Sequence, residues 1–338
     1  MTMKRWVLAS PIEGAPKTAN FALMDELIRD PEPGEIGVRL AYHTVAPGIR
    51  AKLARETYAA RVKPGETIPG MGVGVVATSN HTAFALGDLV SGELGWATDT
   101  VVCAEKVQRL DWRHYETTPI HSALGVLGPA GLTAYFGLRR VARIEAGETV
   151  LISSAAGAVG AAAGQMARIL GSRVVGLAGS NDKCRELVDT FRFDAALNYR
   201  DESDLDAAIQ RACPDGVNVY FDNVGGAVTD AAIRCMAING RVVVCGQTSE
   251  YSTAEPRGWR ETTTIITKRL KIEGFILFDF AAEFAEAAEQ ISQWLAIGQI
   301  LDRPTIVDGV ENAVDAFISI FGDRPPGRLL VRTDPTAC

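Results

Sequence analysis

A chain of 338 residues with 47% hydrophobic and 22% charged side chains is long enough to bury two cores without disulfide or metal staples. Lys and Arg number 34 against 41 Asp and Glu, a net charge of −7, which argues against a nucleic-acid or anionic-membrane partner, since both want a basic face. No apolar run approaches a membrane span and no basic tip followed by an apolar run opens the chain, so a cytoplasmic protein is expected.

The first 120 residues read as short strands and turns. Residues 36–45 alternate with period two, residues 69–78 carry glycines inside a strand pattern, and Gly87-Asp88-Leu89-Val90 is turn chemistry opening a strand. An all-β barrel or sandwich is expected over 1–120. Strand-like runs at 149–153, 173–178, 195–198, 217–222, 240–245 and 270–276 then alternate with helical stretches at 159–170, 182–190, 203–212, 226–237 and 261–269. That alternation predicts an α/β fold, a doubly wound parallel sheet over 121–304. Phe280, Phe284, Ala287, Ile291 and Leu295 recur at helical spacing and predict one apolar helix face. Leu329–Arg332 is strand-like again, so residues 305–338 are expected to return to the first domain.

The cysteines Cys103, Cys184, Cys213, Cys235, Cys245 and Cys338 form no Cys-x-x-Cys pair and read as scattered reduced thiols. Cys103 stands alone before residue 184, and His43, His81, His114 and His121 lack metal-site spacing, so no metal is expected.

The sharpest motif is Ser153-Ser-Ala155-Ala156-Gly157-Ala158-Val159-Gly160, placed where a strand meets a helix. It is an Ala-x-Gly-x-x-Gly form of the dinucleotide fingerprint, with alanine at the usual first glycine. Gly157 lets backbone approach a pyrophosphate, and Gly160 lets helix approach strand. The helix N-terminus then offers N–H groups to phosphate. A packing glycine-alanine helix start is the plainer alternative. The next strand ends in Gly179-Ser180-Asn181, with no acid to accept from a ribose 2′-hydroxyl as an NAD site wants. Lys183 follows, suited to a 2′-phosphate, although Asp182 beside it keeps the acid from being wholly absent and a lone lysine is ordinarily solvated.

Leu124-Gly-Val-Leu-Gly-Pro-Ala-Gly-Leu-Thr-Ala-Tyr-Phe-Gly-Leu138, Ala155–Gly160, Tyr220-Phe-Asp-Asn-Val-Gly-Gly226 and Cys245-Gly-Gln-Thr-Ser-Glu-Tyr251 together resemble one family. It is the zinc-independent branch of the medium-chain dehydrogenase/reductases that holds the leukotriene B4 dehydrogenase/prostaglandin reductases and the alkenal double-bond reductases. The resemblance implies a GroES-like β-barrel domain and a Rossmann domain, NADPH as hydride donor, and a homodimer. It places Gly157, Ala158, Val159 and Gly160 on the pyrophosphate, and Gly179, Lys183 and Tyr199 at the 2′-phosphate. Asn223 would contact the cofactor, Cys245, Gly246, Ser249 and Tyr251 would pass under its nicotinamide half, and Phe275, Ile276 and Leu277 would meet the nicotinamide amide. A turn residue for Asn223 and a buried small apolar residue for Cys245 are the plainer alternatives.

Three departures stand out. The family's Asp-Pro-Tyr-Met-Arg is here Ala46-Pro47-Gly48-Ile49-Arg50, so Gly48 replaces the tyrosine that would line a substrate pocket with Arg50. Pro325 stands where the family has a C-terminal Asn, and Pro129-Ala130 replaces a Met-Pro pair. The expected reaction is NADPH-dependent reduction of a carbon–carbon double bond in an apolar enone or enal, with Tyr251 as donor to the developing enolate. Carbonyl or quinone reduction without zinc is the alternative, and a non-catalytic NADPH-binding module the third.

Overall fold

The computed structural model describes residues 2–54, 60–116, 118–249, 260–321 and 328–333. The chain forms two compact units, Met1–Leu124 with Pro304–Cys338, and Gly125–Arg303.

In the first unit β1 (Thr2–Leu8) and β2 (Phe21–Leu27) make an antiparallel ribbon. β3 (Glu35–Thr44) leads through the short helix α1 (Ile49–Ala54) to β4 (Met71–Ser79), its antiparallel partner. β5 (Leu89–Glu93), β6 (Asp99–Cys103) and β7 (Val107–Arg109) extend the sheet, β6 pairing with β3 and β7 with β5. The glycine-studded strand is β4, and its glycines answer to space: a Cβ on Gly74 would stand 2.1 Å from the Arg39 carbonyl oxygen, where the β3–β4 register slips.

The second unit begins with α2 (Pro129–Phe136), which continues into a π-helical turn over Gly137–Ala142. The chain then alternates: β8 (Thr149–Ile152), α3 (Ala158–Ile169), β9 (Arg173–Ala178), α4 (Asn181–Asp189), β10 (Ala195–Asn198), α5 (Leu205–Ala212), β11 (Val217–Asp222), α6 (Gly226–Arg234), β12 (Met236–Val244), α7 (Thr262–Lys268), β13 (Lys271–Gly274) and α8 (Phe284–Ala296). The six strands are parallel in the order β10-β9-β8-β11-β12-β13. Val150, Leu151 and Ile152 are fully buried, as a central strand covered on both faces requires. Strand order reverses between β8 and β11, which opens the crevice where such sheets bind ligands.

Two expectations shift here. The apolar helix begins at Phe284, not Phe280; Phe280 sits in the preceding 3₁₀ turn with φ −108° and ψ 17°, stacked on Phe136 at 4.8 Å. The buried face of α8 is Ala287, Ile291 and Trp294, with Leu295 only partly covered.

The tail returns to the first unit through β14 (Thr305–Asp308), α9 (Ala313–Ser319) and β15 (Leu329–Arg332), the last pairing with both β14 and β3. Phe317 of α9 meets Trp96 edge-on at 5.4 Å, and the Trp96 indole N–H donates to the Thr44 carbonyl at 3.0 Å. His43 stacks on Trp96 with no solvent exposure, and its Nε2 has no hydrogen-bond partner among the described residues. Burial lowers its pKa to about 4, so the fold holds it neutral.

Candidate active site

The loop after β8 makes a sharp exit. Ser154 takes the left-handed conformation at φ 48°, and Ala155 donates its N–H to the Leu177 carbonyl at 3.0 Å. Ala155 is wholly buried and its Cβ packs over Gly176 of β9. The residue with the costly backbone is therefore Ser154, which is why alanine can stand where the fingerprint has its first glycine. Gly157 precedes α3 in extended conformation and no side chain caps the helix. The amides of Ala158, Val159 and Gly160 thus open a helix without side-chain acceptors, the arrangement that receives phosphate. A Cβ on Gly160 would stand 2.5 Å from the Ser154 carbonyl oxygen, so this turn admits only glycine there. These residues fit a dinucleotide pyrophosphate.

The tip of β9 carries Gly179 and then Ser180, whose hydroxyl caps α4 by accepting from the Lys183 amide at 3.4 Å. Asp182 forms an ion pair with Arg185 on its own helix. Asp201 accepts from the side-chain amides of Asn181 and Asn198 at 2.9 and 2.7 Å. Both acids of this corner are engaged by protein donors. The Tyr199 hydroxyl lies 3.2 Å from where a Gly179 Cβ would stand, so Gly179, Tyr199 and the start of α4 share one corner. Arg200, which sequence reasoning passed over, reaches the same spot, its Nε 3.3 Å from that point.

A buried polar network sits behind the end of β11. One Asp222 oxygen accepts from the Tyr220 hydroxyl (3.0 Å), the Ser153 hydroxyl (3.2 Å) and the amides of Val224 (2.9 Å) and Gly225 (3.0 Å); the other accepts from Thr229 at 2.6 Å. Burial, with Asp222 beside it, holds the Tyr220 phenol well above its usual pKa, so it remains a donor. Asn223 is fixed by the same group: its backbone N–H donates to Ser153 Oγ at 2.9 Å and its side-chain amide to the Ser153 carbonyl at 2.8 Å. The next loop docks onto this one. Cys245 and Gly246 donate to the Asp222 carbonyl at 2.8 and 3.0 Å, and Ser249 donates to the Val224 carbonyl through backbone and hydroxyl at 3.0 and 2.7 Å. Asn223, Cys245, Gly246 and Ser249 are thereby brought together. Asp222, Tyr220 and Thr229 were not singled out from sequence, although an acid ending a strand just before Gly225-Gly226 is a visible signal.

Phe275, Ile276 and Leu277 follow β13, whose Gly274 pairs with Val244 of β12, so they leave the sheet beside Cys245. Phe275 is half-buried, meeting Phe280 at 6.1 Å, and Ile276 is exposed. Tyr251 and Pro325 lie outside the described residues. In the first unit Gly48 is exposed, with open space where a side chain would grow. Arg50 is only 5% exposed and donates through Nε and Nη2 to the Gly14 carbonyl, at 3.2 and 2.5 Å. Its guanidinium is committed to that loop. Among the described residues no three His, Cys, Asp or Glu side chains converge as metal ligands do.

A parallel six-stranded sheet with a glycine turn and an uncapped helix N-terminus at its switch point, and a mainly β unit completed by the returning tail, make a two-domain fold suited to a nucleotide-dependent oxidoreductase. Residues 158–293 match the family model of zinc-binding dehydrogenases, and residues 4–110 that of the N-terminal domain of oxidoreductase. The NADP(+)-dependent 2-alkenal reductase of Nicotiana tabacum is 34% identical over 333 residues, covering 97% of this chain and 96% of its own length. Prostaglandin reductase 1 of Bos taurus is 35% identical over 331 residues, covering 97% and 98%. The crystal structure of CurA from Vibrio vulnificus in complex with NADPH superimposes with a TM-score of 0.91 at 34% identity, covering 98% of this chain and 99% of that one. The chain belongs to the zinc-independent medium-chain dehydrogenase/reductases, the family of the alkenal and prostaglandin reductases.

Proposed function

We propose that this protein is an NADPH-dependent reductase of carbon–carbon double bonds conjugated to a ketone or aldehyde, working as a cytoplasmic homodimer on apolar enones. The observation that carries the reading is the end-to-end similarity to reductases of that reaction, 34–35% identity across 97% of the chain. NADPH, when bound, supplies the hydride that reaches the β-carbon. The chain's own residues do the rest. Gly157, whose own N–H is held by the Ser154 carbonyl, lets the backbone approach the pyrophosphate, the amides of Ala158, Val159 and Gly160 hold it, and Lys183 and Tyr199, beside Gly179, take the 2′-phosphate. Asn223, held rigid by Ser153, presents its side-chain oxygen to the cofactor, and Cys245, Gly246 and Ser249 form the floor beneath the nicotinamide half. Phe275, Ile276 and Leu277 complete that pocket. Tyr251 donates to the carbonyl oxygen as negative charge gathers there.

The test is NADPH oxidation across enals, enones and quinones of graded size, with the product identified. A saturated ketone or aldehyde is expected. An alcohol would assign the protein to carbonyl reduction, and no turnover with any member would overturn enzymatic reduction altogether.

A further inference from the structure

Arg200 is exposed, yet it is not loosely placed. Its backbone N–H donates to the Asn198 side-chain oxygen at 3.3 Å, and Tyr199 before it donates to the Ala178 carbonyl at 3.1 Å. The Asn181–Asn198–Asp201 hydrogen bonds tie this loop to the first turn of α4. The guanidinium carbon lies 5.9 Å from the centre of the Tyr199 ring and 3.4 Å from the point a Gly179 Cβ would occupy. It forms no ion pair among the described residues, while Asp182 and Asp201 are engaged elsewhere. The absence of a side chain at 179 lets a phenol hydroxyl and a guanidinium draw together at the end of β9, each within 3.2–3.4 Å of the point a Cβ would occupy. Those two donors, a phenol and a planar cation, match a dianionic phosphate ester.

We propose that Arg200 is a second cation recognising the 2′-phosphate of NADPH beside Lys183, and that it sets the preference for NADPH over NADH; this rests on the NADPH reading above. Lys183 contributes a point charge, whereas Arg200 contributes a fork that can bond two phosphate oxygens at once. Stacking on Tyr199 holds that fork in place before the ligand arrives, which lowers the entropy lost on binding.

The test uses the full chain and two nucleotides, adenosine 2′,5′-bisphosphate and 5′-AMP, titrated by calorimetry against the parent, Arg200→Ala, Arg200→Lys and Lys183→Ala. Arg200→Ala is expected to weaken the bisphosphate by about tenfold and leave 5′-AMP within about twofold, a loss that shrinks as salt screens the exposed pair. Arg200→Lys should recover part of the loss. If Arg200→Ala binds the bisphosphate as the parent does while Lys183→Ala does not, the NADPH reading stands and Arg200 has no part in it. Equal weakening of both nucleotides would also overturn the proposal, since the contact would then be to the adenosine or the loop. A parent chain that binds neither nucleotide would sink the NADPH reading, and this inference with it.

Discussion

Removing the Asp222 carboxyl separates what holds the nucleotide loops from what touches the nucleotide. Asp222→Ala deletes the acceptor of five hydrogen bonds, but the five donors are not equally stranded. The Tyr220 and Thr229 hydroxyls already lie 3.2 Å apart and can pair with each other, and Ser153 can turn to the Phe221 carbonyl at 3.5 Å. The amides of Val224 and Gly225 have no such escape. Two unpaired N–H groups at about 1–2 kcal/mol each, with the cavity, cost the second unit about 3–4 kcal/mol. In a unit of this size that lowers Tm by about 10 °C. Asp222→Asn keeps an oxygen for both amides and turns an NH₂ toward the Thr229 oxygen, so its cost should stay near 1 kcal/mol. Because Asn223 loses its neighbours but keeps Ser153, NADPH affinity in Asp222→Ala should fall by about tenfold. Thermal unfolding by circular dichroism and NADPH titration by fluorescence read the two effects. An Asp222→Ala protein that melts within about 2 °C of the parent, or an Asp222→Asn protein as damaged as Asp222→Ala, would refute this account.

Acid should destabilise the first unit in a defined window. His43 has its pKa lowered from 6.5 to about 4, so the unfolded chain binds a proton that the fold excludes; stability is flat above pH 6.5 and falls by up to about 3 kcal/mol on the way down to pH 4. His43→Leu should abolish that slope in urea titrations followed by tryptophan fluorescence, and a slope unchanged in the variant would assign it to other groups. Tyr251→Phe should lower kcat by about 10²–10³ with NADPH affinity unchanged, and full turnover would move proton delivery to another donor. Gly48→Tyr has room to be tolerated, since nothing lies within 4 Å of its Cβ position. It should depress kcat/KM for bulky enones and spare small ones, whereas equal slowing of all substrates would end the wide-pocket reading.

The second unit was legible because its signals are local. The strands at 195–198 and 217–222 fall on the residues read from sequence, since short, largely apolar runs between helical stretches and turn residues leave little choice. β12 is longer than read, starting at Met236, because Asn239 in the left-handed region and Gly240 interrupt the apolar pattern while its first residue still pairs with Val217. The helix of Pro129–Phe136 escaped because it is buried nearly all round and lacks the polar face that makes a helix visible. At the site, the glycines and Lys183 were readable as a motif. Tyr220 and Asp222 stand in a visible string, yet the network they form, like the roles of Thr229 and Arg200, depends on which loops fold against each other. Arg50 illustrates the converse: its place in the family's pocket motif is plain, yet its guanidinium is occupied by the Gly14 carbonyl.

Conjugated enones and enals alkylate thiolates, so an enzyme that turns them over handles compounds able to inactivate it. Burial pushes the Cys245 thiol up to about 12, with Asp222 adding to the effect. At neutral pH that sulfur is held as the thiol. Cys213 and Cys235 are likewise pushed up by burial, each to about 11. The arrangement that seats Cys245 against the end of β11 therefore also keeps its sulfur protonated; on the function proposed above, that sulfur would not add to an enone substrate.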